Sequence, residues 1–167
     1  MPIDLDRLTH PLRLARGSYH EGRGKGCAMN VISCINGDTK ITDFPDCSAR
    51  PLARMVQRCN DILAGSDGFL SPENSVLVLD LGYQTIGTAV VPDSLKWQWL
   101  HDILVDPDHG VVRHARPDGE AAIRRVAELC GRQARGDAVS DQEWREARTA
   151  ADAAAAYAAY AAADAAA

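Results

Sequence analysis

Apolar positions in the first half of the chain recur at the spacing of amphipathic helices. Between residues 26 and 36 they follow one another at intervals of three and four. Gly37 supplies a stop there, because glycine tolerates the left-handed conformation at a helix end. A second stretch with this period opens at Pro51, which suits a first helical turn, and closes at Gly65. The pattern predicts two helices, at about 26–36 and 51–64.

The next stretch of the chain allows two interpretations. Ser71, Pro72 and Glu73 are typical of a helix start, with a capping hydroxyl, an early proline and an acid near the positive end of the dipole. The apolar run at 76–81 has instead the composition of a buried strand. We predict a helix, because the start signal is explicit and the neighbouring segments are helical. A strand is the alternative.

Two more helices are predicted at 93–106 and 118–136, where apolar residues again recur at helical spacing. Each segment begins with an aspartate, Asp93 or Asp118, which we predict to be the N-terminal cap of its helix.

The last predicted helix has the strongest signal. Ser140 and Glu143 stand three residues apart, as in a capping box, and no glycine or proline occurs from there to residue 167. The final 18 residues hold 14 alanines, and alanine is the best helix former. We therefore predict a mostly α-helical single domain of five or six helices. Residues 1–136 form its helical core, and the Ala-rich helix at 140–167 packs on that core or extends from it.

Composition and charge exclude several classes of protein. A chain of 167 residues is enough for one domain, and its net charge of −5 excludes a generally basic nucleic-acid binder. No apolar run reaches the roughly 18 residues of a membrane helix, and the acidic N-terminal residues lack a signal-peptide pattern. Five cysteines, an odd number without a CxxC pair, favour free thiols in a reducing cytosol. We expect a cytoplasmic protein.

Cys27 is the leading candidate for chemistry. It stands where a Gly-rich loop meets a predicted helix N-terminus, and the unpaired N–H groups there would stabilise a thiolate. His20 would act as a base, and Asp43 would orient that histidine. The alternative is that Cys27 opens the apolar face of the helix and is simply buried.

The Gly-rich loop before Cys27 also suggests an anion site. Arg23 and Lys25 would add two cations to the backbone N–H groups of the loop. The P-loop pattern is incomplete, since Arg23 stands at the lysine position and Gly24 at the Ser/Thr position. A solvated basic loop is the alternative interpretation.

We predict no metal and no cofactor. The spacing of His20, Cys27, Cys47 and Cys59 matches no standard zinc site. A second polar cluster, between residues 101 and 114, contains an Asp-Pro-Asp-His-Gly run that is ordinary turn chemistry.

The loop at 39–50 is rich in turn formers such as Asp43, Pro45 and Asp46. It connects two helices that must pack together. We expect it to be ordered and to lie near Cys27, with Cys47 facing inward.

A longer pattern spans the first half of the chain. It comprises His20, the run Gly-Cys-Ala-Met-Asn at 26–30, the run Thr-Asp-Phe-Pro-Asp-Cys at 42–47, Pro51 and Asn60-Asp61, and it is joined by the Ala-rich tail. Over about 40 residues and the tail, the chain resembles a family of uncharacterised proteins from actinobacteria and their phages. The resemblance implies an actinobacterial or phage origin and no particular activity.

The leading functional hypothesis is a non-enzymatic interaction or scaffold protein that assembles through its Ala-rich helix. Alanine buries little area, but it allows helices to approach closely, so another Ala-rich helix or a narrow groove is the natural partner. We expect this helix to fold back on 119–134 and to offer Trp144, Tyr157 and Tyr160 to a protein partner or a second copy. The alternative is a small enzyme or anion-binding protein using Cys27, His20 and Asp43. Neither hypothesis involves nucleic acid or membrane.

Overall fold

The computed structural model describes residues 14–17 and 25–164, without the side chains of Asp118 and of residues 157–164. Over these residues the chain forms six α-helices and two short 3₁₀ turns, at Thr88–Val90 and Val111–His114. The helices are α1 (Ala28–Asn36), α2 (Arg50–Leu63), α3 (Pro72–Gln84), α4 (Asp93–Val105), α5 (Pro117–Ala134) and α6 (Asp141–Asp164). The described residues contain isolated bridges and no strand, so the prediction of a mostly helical protein is confirmed.

None of the helices in the described part of the chain is long and apolar enough to cross a bilayer.

The contacts divide the chain into two compact units, Met1–Val91 and Pro92–Ala167. Within the second unit α5 packs extensively against both α4 and α6. The division into a core at 1–136 and a final helix at 140–167 that packs on it or extends from it stays a prediction.

The first unit is built around α1. Seven of its nine residues are buried, because α2 and α3 both pack against it. Met29, Ile32 and Ile35 are fully buried, and Val56 of α2 and Val78 of α3 complete the apolar contact. Burial on more than one side explains why the helix shows apolar or small residues around most of its circumference.

The ambiguous segment at 76–81 is helical and lies within α3. Ser71 caps this helix, since its Oγ accepts a hydrogen bond from the Asn74 N–H at 3.2 Å. Val78 is fully buried, whereas Val76 and Leu77 are exposed, so the apolar run is only partly a core sequence. The local cap signal therefore predicted this element correctly, and the strand alternative is wrong.

Gly82 sets the closeness of α3 to α1. A methyl group at position 82 would lie 3.1 Å from Ile32 Cγ1 and 3.7 Å from Met29 Sδ. The first of these contacts is tighter than an ordinary van der Waals separation, so the absence of a side chain at Gly82 lets the two helices meet.

The loop between α1 and α2 is ordered by side-chain bonds at both of its ends. The Thr42 N–H donates to Ser33 Oγ of α1 at 3.1 Å, and Ser48 Oγ bonds Thr85 Oγ1 at 2.8 Å. Cys47 is half-buried and packs against the apolar core. The expectation of an ordered loop with Cys47 facing inward is confirmed.

The second unit is a three-helix assembly in which α6 folds back along α5. The Trp97 ring of α4 stacks on Trp144 of α6, with centroids 5.5 Å apart. The predicted capping box is present, because Glu143 Oε2 accepts from the Ser140 N–H at 2.9 Å and the Glu143 N–H donates to Ser140 Oγ at 3.2 Å. Arg132 of α5 donates to Glu143 Oε1 at 2.5 Å, so one carboxylate both starts α6 and ties it to α5.

Two N-terminal caps were predicted at the wrong residue. Asp93 is the first residue of α4, and Pro92 precedes it. Asp118 lies inside α5, which starts at Pro117. In α5 the fixed φ of proline suits the first helical position, and this places the helix start one residue earlier than the aspartate signal.

We predict that Ile32→Ala lowers the free energy of unfolding of the first unit by roughly 2–5 kcal/mol, because it opens a cavity in a fully buried contact. Val76→Ala, at a side chain that is 70% exposed, should change it by less than about 0.5 kcal/mol. Urea unfolding followed by far-UV circular dichroism checks both values. Equal effects of the two variants would contradict the proposed core.

Glu143 should make the second unit sensitive to acid. The Ser140 backbone N–H, Arg132 and the Ser140 hydroxyl lower the pKa of Glu143 from its ordinary value of 4.5 to about 2. The charged carboxylate therefore stabilises the folded state above pH 4.5, and this contribution is lost as the pH falls from 4.5 towards 2.

Glu143→Gln should accordingly lower the unfolding midpoint at neutral pH, and its difference from the wild type should shrink in that acidic range. All three tryptophans lie in the second unit, so their fluorescence reports its unfolding. Glu146→Gln, at an exposed residue of α6 outside the cap, is the matched control. A difference that is the same at neutral and acidic pH would argue against the cap.

Candidate functional site

Cys27 immediately precedes α1 with an extended backbone, at φ −82° and ψ 171°. The side chain of Asn30, one turn into the helix, reaches back to it, and Asn30 Oδ1 accepts from the Cys27 N–H at 2.8 Å. This is a cap contact in which asparagine takes the place of the usual Glu or Gln. It fixes the Cys27 thiol at the helix start, which is the position predicted from the sequence.

Asp43 lies beside this thiol and is the centre of a polar group that we call the Asp43 cluster, made of Cys27, Asn30, Asp43 and Gln57. Asp43 Oδ1 accepts from Asn30 Nδ2 at 2.8 Å, and Asp43 Oδ2 accepts from Gln57 Nε2 at 2.8 Å. The Cys27 thiol is 3.7 Å from Oδ1 and donates to it. Arg54 Nη1 donates to Gln57 Oε1 at 2.6 Å and thereby orients the amide of Gln57 towards the carboxylate.

The environment of Cys27 is the opposite of one that activates a thiol. Its side chain is fully buried. Burial raises the pKa of the Cys27 thiol to about 12, and the negative charge of Asp43 adds to this increase. The hydrogen bonds from the start of α1 lower it by less. The thiol is therefore protonated at neutral pH, and the thiolate hypothesis gives way to the buried alternative.

The sequence pattern predicts that Asp43 orients His20, and this stays a prediction. Among the described residues Asp43 accepts hydrogen bonds from two amides and from the thiol. His20 and Arg23, the predicted base and one predicted anion-binding cation, lie outside the described residues. The other cation, Lys25, is exposed, and its ammonium lies 4.6 Å from the centroid of the Phe69 ring. The structure thus brings together Cys27 and Asp43 from the predicted site.

Of the three predicted interaction residues, the structure describes the side chain of Trp144 alone. The Trp144 ring stacks on Trp97 and therefore takes part in packing within the second unit. The side chains of Tyr157 and Tyr160 lie outside the described residues.

Sequence reasoning missed three buried amides. Asn30 and Gln57 bind Asp43, and Asn60 joins the segment at 14–17 to α1. Asn60 Nδ2 donates to the Ala15 carbonyl at 2.9 Å, and its Oδ1 accepts from the Ala28 N–H at 3.2 Å. The available signal was an amide at a position where the helical period requires an apolar residue, since a buried amide needs hydrogen-bond partners.

A cleft of about 810 Å³ in the first unit lies between the end of α2 and the start of α3. Its lining is mostly apolar, with Leu63, Leu70 and Val76 among the contributors. The Asn74 side-chain amide at its edge donates to the Leu63 carbonyl at 3.2 Å, so this polar group is engaged within the fold. Among the described residues, no group of three or more His, Cys, Asp or Glu side chains could hold a metal ion.

No protein-family model, no curated protein and no solved structure gives a significant match to this chain. The function of the protein is therefore inferred from the geometry of its described residues.

We predict that Cys27 resists alkylation in the folded protein at about pH 8 and reacts only when the first unit opens, because its thiol is buried and protonated. Iodoacetamide labelling followed by peptide mass spectrometry measures its rate. Labelling of the native protein at the rate of a free cysteine would contradict the assignment.

Asp43→Asn should have two effects on the same unit. Loss of the negative charge lowers the pKa of Cys27, although burial still holds it above its ordinary value. One of the two amide donors also loses its acceptor, which destabilises the unit by about 1–3 kcal/mol. The pH dependence of Cys27 labelling measures the first effect, and urea unfolding measures the second. Asp46→Asn, at an exposed position of the same loop, is the matched control and should change neither the labelling of Cys27 nor the free energy of unfolding.

Proposed function

We propose that this is a non-enzymatic interaction or scaffold protein that assembles through α6. The observation that carries the proposal is the division of this helix into a packed face and an exposed one. Trp144 and Ala147 face the other helices of the second unit. Ala151 and Ala154 are half-buried and continue the same stripe at intervals of three and four residues. Ala147 is 2% exposed.

The opposite face of α6 is open along its described side chains. Its exposed residues after Ala147 are Arg148, Thr149, Ala150, Asp152, Ala153, Ala155 and Ala156. Four of these seven are alanines, and small side chains allow a second helix to approach towards the short end of the usual 8–10 Å separation. An exposed surface of this kind supports binding to another helix better than binding to a small molecule.

The lengths of the helices support the same proposal. α6 has 24 residues and α5 has 18, and the two are joined by a short connection at residues 135–140. The additional six residues correspond to about 9 Å of helix. The far end of α6 therefore has more length than its partner helix can cover, and this end carries only Ala, Tyr and Asp after residue 150.

The alternative function, a small enzyme or anion-binding protein centred on Cys27, His20 and Asp43, gains no support from the geometry. The thiol is buried and protonated, and Asp43 is bonded to two amides. A second copy of the chain is the partner that we commit to for α6.

The test is the mass of the protein in solution, measured by size-exclusion chromatography with light scattering. We expect the full chain to have at least twice the mass of one 18.0 kDa chain. Deletion of residues 150–167 should return it to the mass of a single chain while circular dichroism and tryptophan fluorescence show that the rest stays folded. A full chain that is monomeric at micromolar concentration would overturn the proposal.

A pair of point changes tests the outer face without removing the helix. Ala153→Gln with Ala156→Gln keeps a good helix former at each position but adds bulk to the exposed face, so it should weaken self-association about tenfold or more. Arg145→Gln, exposed on α6 before the Ala-rich segment, is the matched control and should leave the association unchanged.

A further inference from the structure

The outer sides of α2 and α3 carry large apolar side chains that are exposed. On α2 these are Met55 and Ile62, which are 42% and 67% exposed, and on α3 they are Val76 and Tyr83, at 70% and 38%. Single exposed apolar residues are common in monomeric proteins, but a series of them on one side of a helix indicates a surface that another molecule covers. The open face of α6 belongs to the second unit, so this surface is a different one.

On α2 one positive charge stands between the two apolar residues. Arg58 follows Met55 by three residues and precedes Ile62 by four, so the three side chains share one side of the helix. We call this set, Met55, Arg58 and Ile62, the α2 stripe. Arg58 is exposed and forms no ion pair with any residue that the structure describes. Its guanidinium is therefore available to a carboxylate of another molecule.

On α3 a negative charge stands between the two apolar residues. Asp80 follows Val76 by four residues and precedes Tyr83 by three, and these three side chains form the α3 stripe. Asp80 is exposed, and its Oδ2 accepts from Gln84 Nε2 at 2.8 Å. This bond is to a neutral amide, and no cation in the described part of the chain pairs with Asp80. The two stripes thus carry opposite charges.

The spacings of the two stripes match when the helices run in opposite directions. Each stripe extends over seven residue steps, which is about 10.5 Å of helix. A parallel alignment would place the apolar ends together but would displace the two charges by one residue. In the antiparallel alignment the facing pairs are Met55 with Tyr83, Arg58 with Asp80, and Ile62 with Val76.

From this match we infer that α2 of one copy of the chain binds α3 of a second copy, with Arg58 of one paired with Asp80 of the other. The partner is a second copy because this chain itself carries the complement of each stripe, in spacing and in sign of charge. The contact goes beyond the proposed association through α6 and does not depend on it.

The size of the contact determines what it adds to the assembly. Stripes of three side chains bury less than the roughly 1,200 Å² at the low end of stable interfaces, so the contact is weak by itself. Pairing through α6 would raise the effective concentration of the stripes. The contact would then link α6 pairs into larger assemblies.

Sedimentation equilibrium of the full chain, from micromolar to about millimolar concentration, tests this contact. The reference chain carries Ala153→Gln and Ala156→Gln, so that α6 contributes little to the association. We expect it to associate at the upper end of the concentration range. If the proposal for α6 is wrong, these two substitutions change nothing, and the contact between α2 and α3 is still measured by itself.

Charge reversal decides whether the two stripes meet. Arg58→Glu or Asp80→Arg alone places like charges opposite each other and should weaken the association about tenfold or more. The two changes together restore opposite charges, so the double variant should associate about as strongly as the reference chain. Lys40→Glu, at an exposed position of the loop between α1 and α2, alters the net charge as Arg58→Glu does. It is the matched control and should leave the association unchanged.

Each of these variants changes an exposed side chain, and far-UV circular dichroism checks that it stays folded. A double variant that associates as weakly as the single ones would overturn the inference, as would a reference chain that stays monomeric over the whole range. An equal effect of Lys40→Glu would also overturn it, because net charge alone would then govern the association.

Discussion

The carboxylate of Asp43 is the polar contact on which the arrangement of the first unit depends. It is carried by the loop between α1 and α2, and its two oxygens accept from Asn30 of α1 and Gln57 of α2. A buried or half-buried carboxylate is costly unless its oxygens receive hydrogen bonds. The loop can therefore take this position only when both helices are in place, and a loop of turn residues becomes part of the interior.

The chemistry of Cys27 follows from the same constraint. The start of a helix favours a thiolate, but burial and the nearby negative charge act in the other direction and are stronger. The cysteine becomes a hydrogen-bond donor to Asp43 and an apolar filler of the core. No side-chain nitrogen or oxygen that is buried in the described part of the chain lacks a partner, which fits a polar cluster with a structural role.

Much of the fold could be predicted from the sequence because its signals are local. The Ser71 hydroxyl, the glycine after α1 and the Ser140–Glu143 pair each act within one helical turn, and a local signal survives any change in the surroundings. The candidate site could not be predicted in this way. Whether Cys27 is ionised depends on packing, and the partners of Asn60 lie 32 and 45 residues away from it.

Gly82 also determines how α1 and α3 can slide past one another. A methyl group opposite Ile32 would lie 3.1 Å from Cγ1, which is closer than an ordinary contact. A shift of α3 by one turn would bring Val78 to that point, because residues four apart share a helix face. The valine side chain is larger than a methyl group, so this register would push the two helices apart. Gly82 thus disfavours that register by exclusion rather than by adding a favourable contact.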